Sequence, residues 1–99
     1  MSTPQAGEYY YHFKRDPEKG VNHHAYRIIG TGVHTETEEV FVVYQSLYKE
    51  DGRRIDRYSV DYNIRPLSMF CEDVSRNDYQ GPRFQRIQDE AVLEQLKKF

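Results

Sequence analysis

The chain has 99 residues, of which 14 are Lys or Arg and 16 are Asp or Glu, so its formal net charge is −2. This length predicts one domain that buries its own core, and no apolar run approaches the ~18 residues of a membrane-spanning helix. The slightly acidic balance disfavours bulk binding of nucleic acid. A single Cys excludes an internal disulfide, and the first residues lack an apolar leader, so we expect a cytoplasmic protein.

Aromatic and β-branched runs dominate the chain and predict short strands separated by polar turns. Residues 1–8 are small and polar, which predicts a disordered N-terminus ahead of a single domain at 9–99. We expect strands at 9–14, 25–33, 40–48, 58–64 and 82–87, one helical turn at 67–70 and a polar loop at 75–81. Such a series of short strands is typical of a compact antiparallel sheet.

The fourth predicted strand shows the clearest alternation of apolar and polar residues. Tyr62 and Ile64 alternate with Asn63, which predicts that the two apolar side chains point into the core. Arg65 would then lie with Asn63 on the solvated face. Pro66 lacks an N–H group and is expected to interrupt the strand.

The C-terminal segment 88–99 is predicted to be a helix. Asp89 suits its N-cap, and Val92, Leu96 and Phe99 follow helical spacing along one apolar stripe. Because so short a helix is marginal in isolation, we expect the stripe to dock on the sheet or on a partner. Together these elements predict a mostly β fold, a small antiparallel SH3-like barrel or rolled sheet with a short C-terminal helix.

Five blocks of sequence match a family pattern in order. They are YHFK at 11–14, HTET at 34–37, VVYQSLY at 42–48, IRPLSMF at 64–70 and PRF at 82–84. By these blocks the chain resembles a bacterial domain-of-unknown-function family, family 1653, over about residues 9–87. The resemblance implies a small, mostly β, stand-alone domain, and it implies no reaction. The chain departs from the family pattern in longer segments at 15–23 and 49–61 and in Asn63, where the family often has Trp.

The residue types that most often carry catalysis do not form a recognisable motif here. The four His lack the paired short spacings of a metal site, and no nucleophile motif or phosphate-binding glycine loop is present. Cys71 follows Met69 and Phe70, an apolar context that makes a thiol unreactive. We therefore predict no metal, no cofactor and no catalytic residue, and we favour a binding or accessory role over an enzyme.

Five residues are candidates for a ligand-binding surface. Arg65 precedes a proline that makes its backbone rigid, and its guanidinium suits a carboxylate or a phosphate. His34 and Glu36 stand at a strand end, where functional groups are often presented, although a polar turn would explain them as well. Tyr44 offers a flat apolar contact and Gln45 an amide. The alternative for Arg65 is an internal ion pair with one of three carboxylates, those of Asp61, Glu36 and Glu72.

Two other functions stay open. Basic residues interleaved with aromatic ones favour single-stranded RNA or a nucleotide as the ligand. This strip consists of Arg53, Arg54, Arg57, Tyr58 and Arg65. Neighbouring acidic residues dilute its charge, so nucleic acid is the less favoured partner.

A small enzyme with His34 as general base is the second alternative. A protein partner or a homodimer through an edge strand is also open, and no membrane association is expected.

Overall fold

The computed structural model describes residues 3–48, 62–76 and 78–99, and these residues form seven strands and two α-helices. The strands are β1 (Tyr9–His12), β2 (Ala25–Val33), β3 (Val40–Ser46), β4 (Asn63–Pro66), β5 (Asp73–Arg76), β6 (Tyr79–Pro82) and β7 (Phe84–Arg86). The helices are α1 (Leu67–Phe70) and α2 (Glu90–Leu96). Most of the predicted strand at 58–64 lies outside the described residues, and its end belongs to β4.

The strands form one five-stranded antiparallel sheet and one separate hairpin. The order in the sheet is β4-β3-β2-β1-β7, and β5 pairs with β6. This confirms the predicted mostly β, antiparallel architecture with a short C-terminal helix. Over the described ranges no ladder joins β4 to β7, so the sheet is not closed and the predicted SH3-like barrel is not confirmed. The division into a disordered segment at 1–8 and one domain at 9–99 stays a prediction.

The sheet buries side chains on both faces, because successive residues of a strand point to opposite sides. One face of the sheet, here called the aromatic face, is packed by α1. The buried cluster on this side consists of Tyr10, Tyr26, Ile28, Val42, Tyr44, Tyr48, Phe84 and, from α1, Phe70. The opposite face packs against α2, and its buried cluster consists of Tyr9, Ala25, Leu47, Ile87 and, from α2, Leu96. The core is thus two clusters on either side of one sheet, and aromatic rings make up most of the first.

The orientation of β4 is the reverse of the predicted one. Ile64 is 65% and Tyr62 is 48% exposed, whereas Arg65 is half-buried on the aromatic face. The cause is the register, because Arg65 pairs with Val42 and Ile64 pairs with Val43, and residues paired across two strands share a face. Since β3 buries Val42 on the aromatic face, β4 must direct Arg65 to that face as well.

Other element boundaries also differ from the sequence prediction, since β1, β3 and β7 are shorter than the predicted 9–14, 40–48 and 82–87. β4 includes Pro66, which is tolerated because β4 is the outer strand of the described sheet. The predicted loop at 75–81 is instead the β5–β6 hairpin. Asp78 in its turn has φ 69°, a left-handed conformation that Asp adopts more readily than most residues. The polar composition of this segment therefore reflects a tight turn between two short strands.

The helix α2 is shorter than the predicted 88–99. The Asp89 carboxylate accepts hydrogen bonds from the main-chain N–H groups of Ala91 and Val92, which begins the helix at Glu90. Leu96 is fully buried against the sheet and Val92 is partly buried beside it, so these two residues of the predicted apolar stripe dock there, whereas Phe99 is 51% exposed beyond the end of the helix. Neither this helix nor any other in the described part of the chain has the length and apolar character needed to cross a membrane.

Candidate ligand-binding site

The structure places the five predicted ligand-binding residues in three different positions. His34 and Glu36 lie in the exposed turn between β2 and β3. Gln45 lies on the face opposite to the aromatic face, where its side-chain carbonyl accepts a hydrogen bond from Arg27 at 2.9 Å. Tyr44 and Arg65 lie together on the aromatic face, with 3.3 Å between Arg65 Nε and the Tyr44 hydroxyl. Only this last pair is brought together.

The His34 ring stabilises the turn in which it lies. Its Nδ1 atom accepts hydrogen bonds from the main-chain N–H of Glu36 at 3.2 Å and of Thr37 at 3.3 Å. The Thr37 hydroxyl accepts another from Glu39 N at 3.3 Å. With Nδ1 accepting, the neutral ring carries its proton on Nε2, so neither nitrogen has a lone pair left for a substrate proton. This geometry supports the polar-turn interpretation over a general base.

Phe84 is the centre of the aromatic face. Its ring stacks on Phe70 with 4.1 Å between the centroids and 4° between the planes. His12 meets the Phe84 ring edge-on at 5.0 Å and Tyr44 meets it at 5.6 Å. The guanidinium carbon of Arg65 lies 5.5 Å from the Phe84 centroid, within cation–π range. Side chains of β1, β3, β4 and α1 therefore converge on the ring that β7 contributes.

Arg65 has no carboxylate partner in the part of the chain that the structure describes. Its Nε–H donates to Tyr44, and no described residue accepts a hydrogen bond from its two Nη groups. Glu72 binds Arg83 instead, with 2.6 Å between Oε1 and Nη2. Of the ion pairs considered from the sequence, those with Glu72 and Glu36 are not formed, and Asp61 lies outside the described residues.

Positive groups surround the buried His12 ring. Burial is the main reason that the pKa of His12 falls to about 3, and His24, Arg65, Arg83 and Lys14 contribute to the same shift as neighbouring positive groups. Both effects disfavour the protonated imidazole, so His12 is uncharged at neutral pH. Its ring lies nearly parallel to the His24 ring, with 5.3 Å between the centroids. The guanidinium of Arg65 is therefore set among other positive or neutral groups.

A hydrogen-bonded triangle positions the His24 ring. His24 Nδ1 lies 3.1 Å from the Tyr48 hydroxyl and 3.3 Å from the Tyr26 hydroxyl, and the two hydroxyls lie 3.1 Å apart. His24 also has φ 50°, a left-handed conformation that is uncommon outside Gly but that His adopts more often than most residues. These bonds hold His24 against His12, so the aromatic face is ordered by contacts on several sides.

The described residues also bear on three further features, namely the RNA-binding strip, metal binding and the Cys71 thiol. The proposed RNA-binding strip is described only at Arg65. Its other members, Arg53, Arg54, Arg57 and Tyr58, lie outside the described residues. Within the described ranges no group of three or more His, Cys, Asp or Glu is arranged to hold a metal ion. Burial raises the pKa of the Cys71 thiol, the direction expected from its apolar context.

Three residues of this site were not among the predicted ligand-binding residues. They are His12, Arg83 and Phe84. The alternation in strand 9–14 does place His12 on the same face as Tyr10, and the PRF block marks 82–84 as a unit. Neither signal says that these two distant segments meet, because β1 and β7 pair across most of the length of the chain.

The match to known proteins is at the level of the family. No curated protein and no solved structure gives a significant match to the chain. A family model matches residues 8–86, a span that includes Arg65, Phe84 and the rest of the aromatic face. The chain therefore belongs to the family described as a protein of unknown function, DUF1653.

Proposed function

We propose that the chain is a non-enzymatic binding module that recognises an anionic group, a carboxylate or a phosphate, through Arg65. One observation carries the proposal. The half-buried Arg65 guanidinium lies against Phe84, donates one hydrogen bond to Tyr44 and has no acidic partner among the described residues. Its two Nη groups match the paired oxygens of a carboxylate or phosphate, which arginine binds in a bidentate manner.

The surroundings of Arg65 favour an anion over a cation. The cations that neighbour His12, among them Arg65, Arg83 and Lys14, would attract a negative group and repel a positive one. The guanidinium is also held in place, by Tyr44 at 3.3 Å and by the ring of Phe84. A donor that is already oriented loses little conformational freedom when it binds, which favours affinity.

A binding role agrees with the hydrogen bonds of two histidines. His34 Nδ1 accepts main-chain hydrogen bonds in its turn. His12 Nδ1 accepts one from Lys14 N at 3.2 Å. The proposed surface keeps Tyr44 and Arg65 from the sequence prediction, and it replaces His34, Glu36 and Gln45 by residues of the aromatic face.

Amide NMR titrations of isotopically labelled protein test this proposal. Uridine 5′-monophosphate is the phosphate probe, and uridine is its uncharged comparison. 3-Phenylpropionate is the carboxylate probe, and 2-phenylethanol is its uncharged comparison. All titrations are made at constant ionic strength. We expect both anions to shift the amides of Tyr44, Arg65 and Phe84, and the uncharged probes to bind there more weakly. Arg65→Gln should weaken anion binding about tenfold or more, because a hydrogen bond to a charged group is lost.

Arg86→Gln is the matched control. Arg86 is an exposed arginine that pairs with Glu8 at 3.4 Å, so its loss should leave anion binding at Arg65 unchanged. Anion shifts that survive Arg65→Gln, or equal binding of the charged and uncharged probes, would contradict the proposal. A uridine oligonucleotide that binds far more tightly than the monophosphate, and loses affinity steeply with salt, would favour the RNA alternative instead.

A further inference from the structure

A separate cavity shares Phe70 and Phe84 with the Arg65 site. It has a volume of about 360 Å³ and lies where β1, β7, α1 and the β5–β6 hairpin meet. Three buried aromatic side chains line it, those of Tyr10, Phe70 and Phe84. Pro4, itself fully buried, forms part of its wall. A largely apolar cavity of this size suits a small organic molecule.

The charged groups at this cavity leave one carboxylate without a cation. Arg86 lines the cavity, but its guanidinium pairs with Glu8 at 3.4 Å. Asp73 also lines it, and no cation lies within ion-pair distance of Asp73 in the described ranges. Asp73 and Arg86 are the charged residues of the lining, and Glu8, which pairs with Arg86 from outside it, brings the sum of the three charges to −1.

The Tyr10 hydroxyl contacts a carboxylate beside the cavity. It donates a hydrogen bond to Glu8 Oε1 at 3.2 Å. Burial is the main reason that the pKa of Tyr10 rises to about 12, and the negative charge of Glu8 adds to the shift against an opposing effect of Arg86. Glu8 thus places negative charge beside Tyr10, whereas the charged groups that affect His12 are positive.

We propose that this cavity binds a small arylalkyl ammonium ion. Its aromatic ring would pack against Tyr10, Phe70 and Phe84, and its ammonium group would pair with Asp73 at the mouth. Apolar contact supplies most of the affinity, since rings buried against rings gain both burial and favourable edge-to-face geometry. The carboxylate supplies the preference for a cation. This site is independent of the proposed function of Arg65.

Amide NMR titration with 2-phenylethylammonium tests the proposal, with uncharged 2-phenylethanol as the size-matched comparison. We expect the amine to shift the amides of Tyr10, Cys71 and Asp73 and to bind about threefold more tightly than the alcohol, the advantage of a solvent-exposed ion pair. Asp73→Asn should remove that advantage while both probes still bind. Asp78→Asn, on the same hairpin, should keep it, because Asn tolerates the left-handed backbone found there.

The single cysteine of the chain gives a second readout. Cys71 is half-buried at this cavity, so bound amine should slow its alkylation by N-ethylmaleimide in the unmodified chain. The proposal is overturned if neither probe binds, if amine and alcohol bind equally to the unmodified chain, or if the shifts cluster elsewhere. It is also overturned if Asp73→Asn keeps the full preference for the amine or if bound amine leaves the alkylation rate unchanged.

Discussion

The stacked rings of Phe70 and Phe84 contribute to two environments of opposite charge. In one of them Arg65 contacts Phe84, and burial together with neighbouring cations keeps His12 uncharged. In the other, Asp73 lines a cavity with the same two rings. The apolar component is common to both, so the difference between them lies in the charged residues placed around one aromatic pair.

Each environment keeps one charge because a salt bridge uses the residue that would neutralise it. Glu72 pairs with Arg83 at 2.6 Å, which leaves Arg65 without that acid. Arg86 pairs with Glu8 at 3.4 Å, which leaves Asp73 without that base. The choice of ion-pair partners therefore determines the sign of the charge that remains in each environment, whereas the rings determine its apolar character.

Phe84→Ala should have the largest effect, because it removes the ring that both environments share. Phe84 is buried and contacts Phe70, Tyr44, His12 and Arg65. We expect the free energy of unfolding to fall by about 3–5 kcal/mol, the usual cost of deleting a buried phenyl ring. Urea denaturation measures this change.

Gln85→Ala is the control for that substitution, since Gln85 is the exposed neighbour on the same strand. It should change the free energy of unfolding by less than about 0.5 kcal/mol. Comparable losses for the two variants would mean that Phe84 is not the shared core element described above.

Asp89→Ala should lower the stability less and should not change ligand binding in either environment. The variant removes the N-cap of α2, which packs on the opposite face of the sheet. We expect a loss of about 1 kcal/mol in the free energy of unfolding. Anion and amine titrations of the folded variant should match those of the unmodified chain. Altered binding of either probe would show that the two faces are coupled.

His12→Gln should change the pH dependence of stability. The pKa of His12 is about 3 in the folded chain and about 6.5 when unfolded. Between these values the unfolded chain takes up a proton that the folded chain does not, so stability falls as the pH decreases below about 6.5. Urea denaturation at pH 7 and pH 5 should show a smaller fall for the variant. Parallel pH profiles would contradict the burial of an uncharged His12 on the aromatic face.

Locally encoded elements were predictable from the sequence. The predicted bounds of the second strand, 25–33, and of the helical turn, 67–70, agree with β2 and α1. The N-cap at Asp89 follows from its short side chain ahead of a helical stripe. In each case neighbouring residues determine the structure, so a pattern of a few positions is sufficient.

Features that depend on pairing between distant strands were not predictable. Alternation alone predicts that Tyr62 and Ile64 point into the core. The pairing of β4 with β3 instead buries the opposite face of β4, which carries Arg65. The site shows the same limit. Arg65 and Tyr44 stand out by residue type, whereas their contact with Phe84 depends on the pairing of β7 with β1. His34 stands out equally, yet its hydrogen bonds are local to its turn.

A pair of titrations on one labelled sample tests the central claim most directly, with 3-phenylpropionate in one and 2-phenylethylammonium in the other. The two probes share a phenyl ring and differ in the sign of their charge. The account predicts that the carboxylate shifts the amides of Tyr44 and Arg65, that the ammonium ion shifts those of Cys71 and Asp73, and that Phe84 responds to both. One common set of shifted amides for the two probes would contradict the existence of two oppositely charged sites.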